Sequence, residues 1–267
     1  MTSMIFYEKP VALNRHRHRA LKLDAKPGDF SFSEKTNSLL IAATEVSEAA
    51  ATYPIVFVGQ PGGPFTLAAL VGLNDCENLF VSSSGQWEAN CYVPAFARRY
   101  PFVLAEQDDN PTELTVCVDE SFAALNQERG EALFDTEGRE SPLLQGAVDF
   151  LKLFHSEMQA TRTFTQRLAD LDLLTQKTIE VNRDGKSQVL EGLYIIDQEK
   201  LSALDDDKVV QLFRTGDMAL VHSHLLSLRH IERLAARMDR RIHAAAEATA
   251  ATTAASLEKM PVASPVM

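Results

Sequence analysis

Several things are scarce in this sequence, and each scarcity closes off a class of function. Cysteine occurs three times in 267 residues, as Cys76, Cys91 and Cys117, with no C-x-x-C pair. That spacing excludes a zinc ribbon and gives no disulfide framework; it fits reduced thiols in a cytoplasmic protein. Positive charge is also short, with 26 Lys and Arg against 37 Asp and Glu and a formal net charge of −11. A surface that tracks phosphates needs clustered cations, so nucleic-acid binding is not expected. No stretch approaches the roughly 20 apolar residues that span a bilayer. The opening "MTSMIFYEKPVAL" has no basic segment followed by an apolar run, and it does not read as a signal peptide.

Catalytic motifs are equally thin. "GQPGGP" (59–64) lacks the Lys-Ser/Thr of a phosphate-cradling loop, and its prolines remove backbone donors, so it reads as a turn. "SSSGQ" (82–86) contains no G-x-S-x-G elbow. His222 and His224 have a metal-ligand spacing only on a strand. The periodicity around them is helical, where residues two apart point about 200° away from each other. His16 and His18 in "HRHR" have no acids or cysteines at a fitting distance and read as a basic surface segment. The carboxylates at 108–109 and 205–207 fall in a loop and at a helix start. We therefore expect no catalytic residue, no metal and no cofactor.

What is present is patterned well enough to give a fold class. The first half holds compact β-rich runs, "PIVFVG" (54–59), "ELTVCVDE" (113–120) and the weaker "ENLFVS" (77–82), separated by turn residues. "SLLIAATEVSEAAATY" (38–53) reads as its one helix. In the second half, Ser141-Pro142 is a helix start: serine caps, and proline at the first helical position gives up an N–H that has no partner there. From Ala147 through Phe150, Leu151, Phe154, Met158, Thr161, Phe164 and Leu168 to Leu171, apolar residues recur at steps of mostly three or four. This predicts an amphipathic helix of nearly thirty residues. Asp184-Gly185 between two β-rich runs predicts a hairpin turn. Helices are expected at 197–203 and 205–214, then one long helix from Asp217 whose stripe extends to Ile242. That stripe suits self-association or packing on the chain's own core. The class is α+β: a β-rich region over 1–138, a helix–hairpin–helices region over 139–243 packed on it, and a disordered tail over 244–267 with nothing large to bury.

The densest chemistry lies in "GQWEANCYVPAFARRYPFVL" (85–104), which carries the single tryptophan, two of five tyrosines and an Arg-Arg pair. Trp87, Tyr92 and Tyr100 can grip a ligand while Arg98 or Arg99 holds an acidic group. The same residues can equally form a filled structural crossing, with one arginine neutralising an acid at 119–120. Together with "LNRHRHRALKL" (13–23), "ALVGLNDCENLFV" (69–81), "TVCVDE" (115–120), "ALFDTEG" (132–138), "LEGLYIIDQEKLSAL" (190–204) and "VHSHLLSL" (221–228), this block resembles the bacterial SapC family over about residues 10 to 240. The resemblance implies an association with surface-layer or peptide-related loci, beside flavin-dependent halogenase-like and oxygenase-like proteins. It assigns no role to any residue. The expected function is therefore a non-enzymatic accessory protein that binds a peptide or partner protein through Trp87, Tyr92, Arg98, Arg99 and Tyr100. The alternative is an enzyme, or an enzyme's partner, in peptide or aromatic modification.

Overall fold

The computed structural model describes residues 5–107, 110–183 and 186–258. The chain begins with short strands β1 (Pro10–Ala12), β2 (Lys22–Leu23) and β3 (Ser38–Leu40), then one turn of helix, α1 (Val46–Ala49). Strands β4 (Ile55–Val58) and β5 (Thr66–Leu70) follow, then the short α2 (Ala95–Arg98) and strands β6 (Phe102–Gln107), β7 (Asn110–Asp119), β8 (Leu125–Asn126) and β9 (Glu131–Ala132). The second half comprises α3 (Pro142–Asp170), the hairpin β10 (Leu174–Arg183) and β11 (Lys186–Ile196), and helices α4 (Gln198–Ser202), α5 (Asp206–Arg214), α6 (Asp217–Ser227) and α7 (His230–Glu258). The class is α+β.

The main sheet interleaves the two halves of the sequence, in the order β10-β11-β4-β5-β3, with every neighbouring pair antiparallel. Leu39, Ile55, Phe57 and Leu67 are fully or almost fully buried there, and α3, α6 and α7 supply Phe164, Leu168, Val221, Leu234 and Met238 to the same core. A second apolar cluster gathers Phe102, Val118, Leu133 and Phe134 against the first turns of α3, where Leu144, Val148 and Leu151 point. Thus α3 belongs to both clusters. Its N-terminus is fixed as the Ser-Pro pair requires: Ser141 Oγ accepts the Leu144 N–H at 3.3 Å. The Arg167 guanidinium holds the buried Asp217 carboxylate by two bonds of 2.7 Å, tying α3 to the start of α6.

Three departures from the sequence reading have clear causes. Residues 38–53 are not one helix: Ser38, Leu39 and Leu40 pair with Leu70, Ala69 and Ala68, and helix begins only after Ile41. The ladder to β5 outweighs local helix propensity. Residues 77–82 form no strand; only Val81 makes a bridge, to Trp87. The helix from Asp217 ends at Ser227 and resumes at His230, and because both pieces face the main core the apolar stripe runs on across the break. In addition, α7 continues to Glu258, through residues given above to a disordered tail. Alanine is the best helix former and needs no burial to hold the form. The Asp184-Gly185 turn lies outside the described residues, but the strands flanking it pair as a hairpin. No helix among the described residues is long and apolar enough to cross a membrane.

Candidate functional site

The aromatic block is built outward from a turn. Gly85 takes φ +80°, and a side chain there would meet Asp29 Oδ1 at 2.6 Å, so glycine is needed where the chain reverses toward Trp87. The indole packs edge-on against Phe30, with centroids 5.6 Å apart, and Trp87 Nε1 donates to the Tyr53 hydroxyl at 3.1 Å. Tyr53 in turn donates to the Tyr92 carbonyl, and burial holds its phenol far above the ordinary range. The Tyr92 hydroxyl donates to Glu45 Oε1 at 2.8 Å; burial, aided by Glu45, pushes that phenol up to about 12. Glu45 also accepts the N–H groups of Ala95 (2.7 Å) and Ala42 (2.8 Å). A buried carboxylate with three donors is a structural clasp, which fixes α2 against the segment before α1.

From α2 the side chains diverge. Arg98 stays exposed over Phe150 (5.2 Å) and Tyr92 (5.8 Å), and its Nε donates to the Val93 carbonyl at 3.0 Å. Arg99 turns inward, with its guanidinium carbon 4.2 Å from the Phe96 ring centre and 5.2 Å from that of Phe154. Tyr100 stacks on Phe32 at 4.2 Å, contacts Tyr7 and Phe122 edge-on, and donates to Asp119 at 3.3 Å. Burial raises its phenol as well. The five residues therefore do not share one pocket. Trp87 and Tyr92 are clasped into the core, Tyr100 joins a separate aromatic cluster, and the two arginines part.

Two hollows adjoin the block. The first is a groove between residues 79–89 and α7, made of adjoining spaces of about 790 and 350 Å³ that share Phe80, Arg237 and Arg240. Arg237 stacks on Phe80 at 4.2 Å and binds the Glu88 carboxylate with both terminal nitrogens. Arg241 donates to the carbonyls of Asn78 (2.7 Å) and Val81 (2.8 Å), while Arg233 and Arg240 line the walls. Trp87 stands on its opposite side. The second is a hollow of about 370 Å³ lined by Arg99, Arg162, His155 and apolar side chains. Glu45, Arg162, Arg237 and Arg240 were missed in the sequence reading. The steps of four from Arg233 to Arg237 to Arg241 were a readable signal, a basic row on one helix face.

The histidines have separate surroundings. His18 Nδ1 accepts the Asn14 N–H at 2.9 Å, and Nε2 lies 3.2 Å from Glu120 Oε1. His222 is exposed whereas His224 is buried. Among the described residues no group of three His, Cys, Asp or Glu is placed to hold a metal ion.

The family model of SapC matches residues 13–234. The chain belongs to the SapC family. Searches against curated proteins and against solved structures find no match. The matched span includes the whole aromatic block, α2, α3 and the first turn of α7, so the hollow at Arg99 is built entirely from residues inside the SapC match. Arg237, Arg240 and Arg241 lie just beyond it.

Proposed function

We propose that this SapC protein is a non-catalytic binding protein, and that its groove between residues 79–89 and α7 holds an acidic segment of a partner polypeptide. The supporting observation is the row of arginines on α7, facing Phe80 and Trp87 in a chain whose formal net charge is −11. The Glu88 carboxylate, held by Arg237 in the groove, supports this reading as an internal example of the same pairing. Arg240 has no ion pair or hydrogen bond among the described residues and is free to take a second carboxylate. Guanidinium forks suit carboxylates, and an aromatic floor strengthens the grip by excluding water on one side. We place the protein in the cytoplasm, where its three cysteines, none of them in a disulfide, stay reduced.

Trp87 is the chain's single tryptophan and a wall of the groove, so its emission reports occupancy. Titration with a short acidic peptide of Glu, Asp and Leu should give a saturable change that fades as salt rises. Arg240→Glu should weaken it about 10-fold or more, since it replaces attraction by repulsion at an exposed position. If a basic peptide binds equally well, or neither peptide saturates, the proposal fails.

A further inference from the structure

We infer that the second hollow, at Arg99, is a binding site for a small amphipathic carboxylate: a flat or short apolar body carrying one acid group. The hollow lies where α3, α2, β6 and β3 meet, lined by Leu151, Phe154 and Met158 of α3, Phe96 of α2, Leu104 of β6 and Leu40 of β3. Leu151 belongs to the second apolar cluster and Phe96 and Phe154 to the main core, so the hollow occupies the seam between two packed bodies. Small-molecule sites favour such seams, with apolar walls and a few converging polar groups.

The polar groups here are cationic. Along α3, residues 151, 155, 158 and 162 recur at steps of four, three and four and so share one face. Two of them, His155 and Arg162, interrupt that otherwise apolar stripe. Opposite stands Arg99, whose position would be costly if it served packing alone. Arg99 is half-buried, and a guanidinium drawn that far among rings is normally paired with an acid. Among the described residues neither Arg99 nor Arg162 has a carboxylate within ion-pair reach. The rings of Phe96 and Phe154 offer Arg99 their faces, which stabilise a cation but accept no N–H bond in its plane. Arg99 Nε is buried with no hydrogen-bond partner. The Tyr7 hydroxyl donates to the Phe102 carbonyl at 2.8 Å and its oxygen accepts an N–H from Arg99, a neutral partner that brings no negative charge. Burial also pulls the Arg99 guanidinium below the ordinary arginine range, the mark of a cation lacking its counter-charge.

A carboxylate in the hollow answers the missing counter-charge: it neutralises Arg99 at short range and draws Arg162 across the mouth, while its body covers Phe154, Met158 and Leu151. The volume of about 370 Å³ is near the lower end for ligand sites, which favours a single ring or short chain over a nucleotide or a long acyl tail. Bare phosphate would satisfy the arginines but leave the apolar wall open.

Calorimetry on the full chain tests this with three probes: 3-phenylpropionate, its neutral amide 3-phenylpropanamide, and inorganic phosphate. The acid should bind with Kd on the order of 0.1–1 mM, the amide at least about 10-fold more weakly, and phosphate without saturation. Arg99→Gln should abolish binding of the acid. Should that variant fail to fold, Arg162→Gln, at an exposed position, should fold normally and weaken the acid by about 5- to 10-fold. Arg240→Glu in the α7 groove should leave 3-phenylpropionate binding unchanged, so this site and the peptide groove stand or fall separately. Equal binding of acid and amide, phosphate binding as tight as the acid, or no saturation by the acid would each overturn the assignment.

Discussion

Helices α3 and α7 are each 29 residues long, yet they are held in place by different physics. Buried side chains run down nearly all of α3: Leu144, Val148, Leu151, Phe154, Thr161, Phe164, Thr165 and Leu168. Thr161 Oγ1 also accepts the Ala43 N–H at 2.8 Å, and Thr165 donates to the Phe65 carbonyl at 2.8 Å. Helix α7 buries His230, Leu234, Ala235 and Met238 in its first third, and its stripe then reaches solvent at Ile242, which is 52% exposed. One helix is a spine fixed by burial; the other is a propensity-driven rod anchored at one end. Apolar periodicity in sequence locates both but does not say how far the core reaches along them.

The largest expected effect would break this comparison directly. Leu168 is fully buried between α3 and the main sheet, so Leu168→Ala should cost about 3–4 kcal/mol through lost apolar burial and the cavity left behind. Ile242→Ala on α7 should cost less than about 0.5 kcal/mol. Urea unfolding of both variants measures the difference. Similar losses would mean that the contrast between the two helices is wrong.

A comparable effect lies at α6, which connects these two regimes. Strands β4 and β11 pair only at Leu193 with Val58 and Tyr194 with Phe57, and then separate. Side chains of α6 fill the opening: His224 Nε2 accepts the Ile196 N–H at 3.1 Å, and Ser227 Oγ accepts the Ile55 N–H at 3.0 Å while donating to the His224 carbonyl at 2.6 Å. Burial drives the His224 pKa down to about 4, against a smaller opposing pull from the Ile55 backbone. The unfolded chain therefore takes up this proton first as pH falls. The contribution is whole above about 6.5, declines between 6.5 and 4, and amounts to something on the order of 3 kcal/mol. His230, also lowered by burial, adds a loss of the same sign. Urea midpoints at pH 7 and pH 4.5 should differ clearly in the parent and much less in His224→Gln, whose amide oxygen can still accept the Ile196 N–H. An equal acid loss in both would remove His224 as the cause.

How much of this could be read in advance follows from the range of the forces involved. The start and length of α3, the strands flanking 184–185 and helices near 198–202 and 206–214 are local matters of capping, periodicity and turn chemistry, and the sequence shows them. Strands β3, β5 and β6 depend on partners elsewhere in the chain. "SLLIA" reads as helix until β5 lies beside it. The site divides in the same way. The block at 85–104 is visibly unusual, but the directions of its side chains are set by Glu45, Phe32 and α3, all distant in sequence. Arg98 and Arg99 show the limit most sharply, as adjacent identical residues with one over the surface of Phe150 and the other among buried rings.

The smallest expected effect sharpens the account of α7. Residues Ala244, Ala246, Glu247 and Thr249 are exposed, and the side chains that anchor the helix to the main core, ending with Met238, all precede them. Helix at those exposed positions rests on alanine's low entropic cost. Deleting residues 244–267 should therefore reduce the helical circular-dichroism signal and shift the thermal midpoint by no more than about 1–2 °C, since the side chains described there are exposed. A large fall in the midpoint would show that the outer turns of α7 cover apolar surface after all, through self-association or a contact with the body. Because Arg233, Arg237, Arg240 and Arg241 all lie before the cut, the same truncated chain should keep its affinity for the acidic peptide. The peptide affinity thus separates the anchored third of α7, where the groove is built, from the rod that extends beyond it.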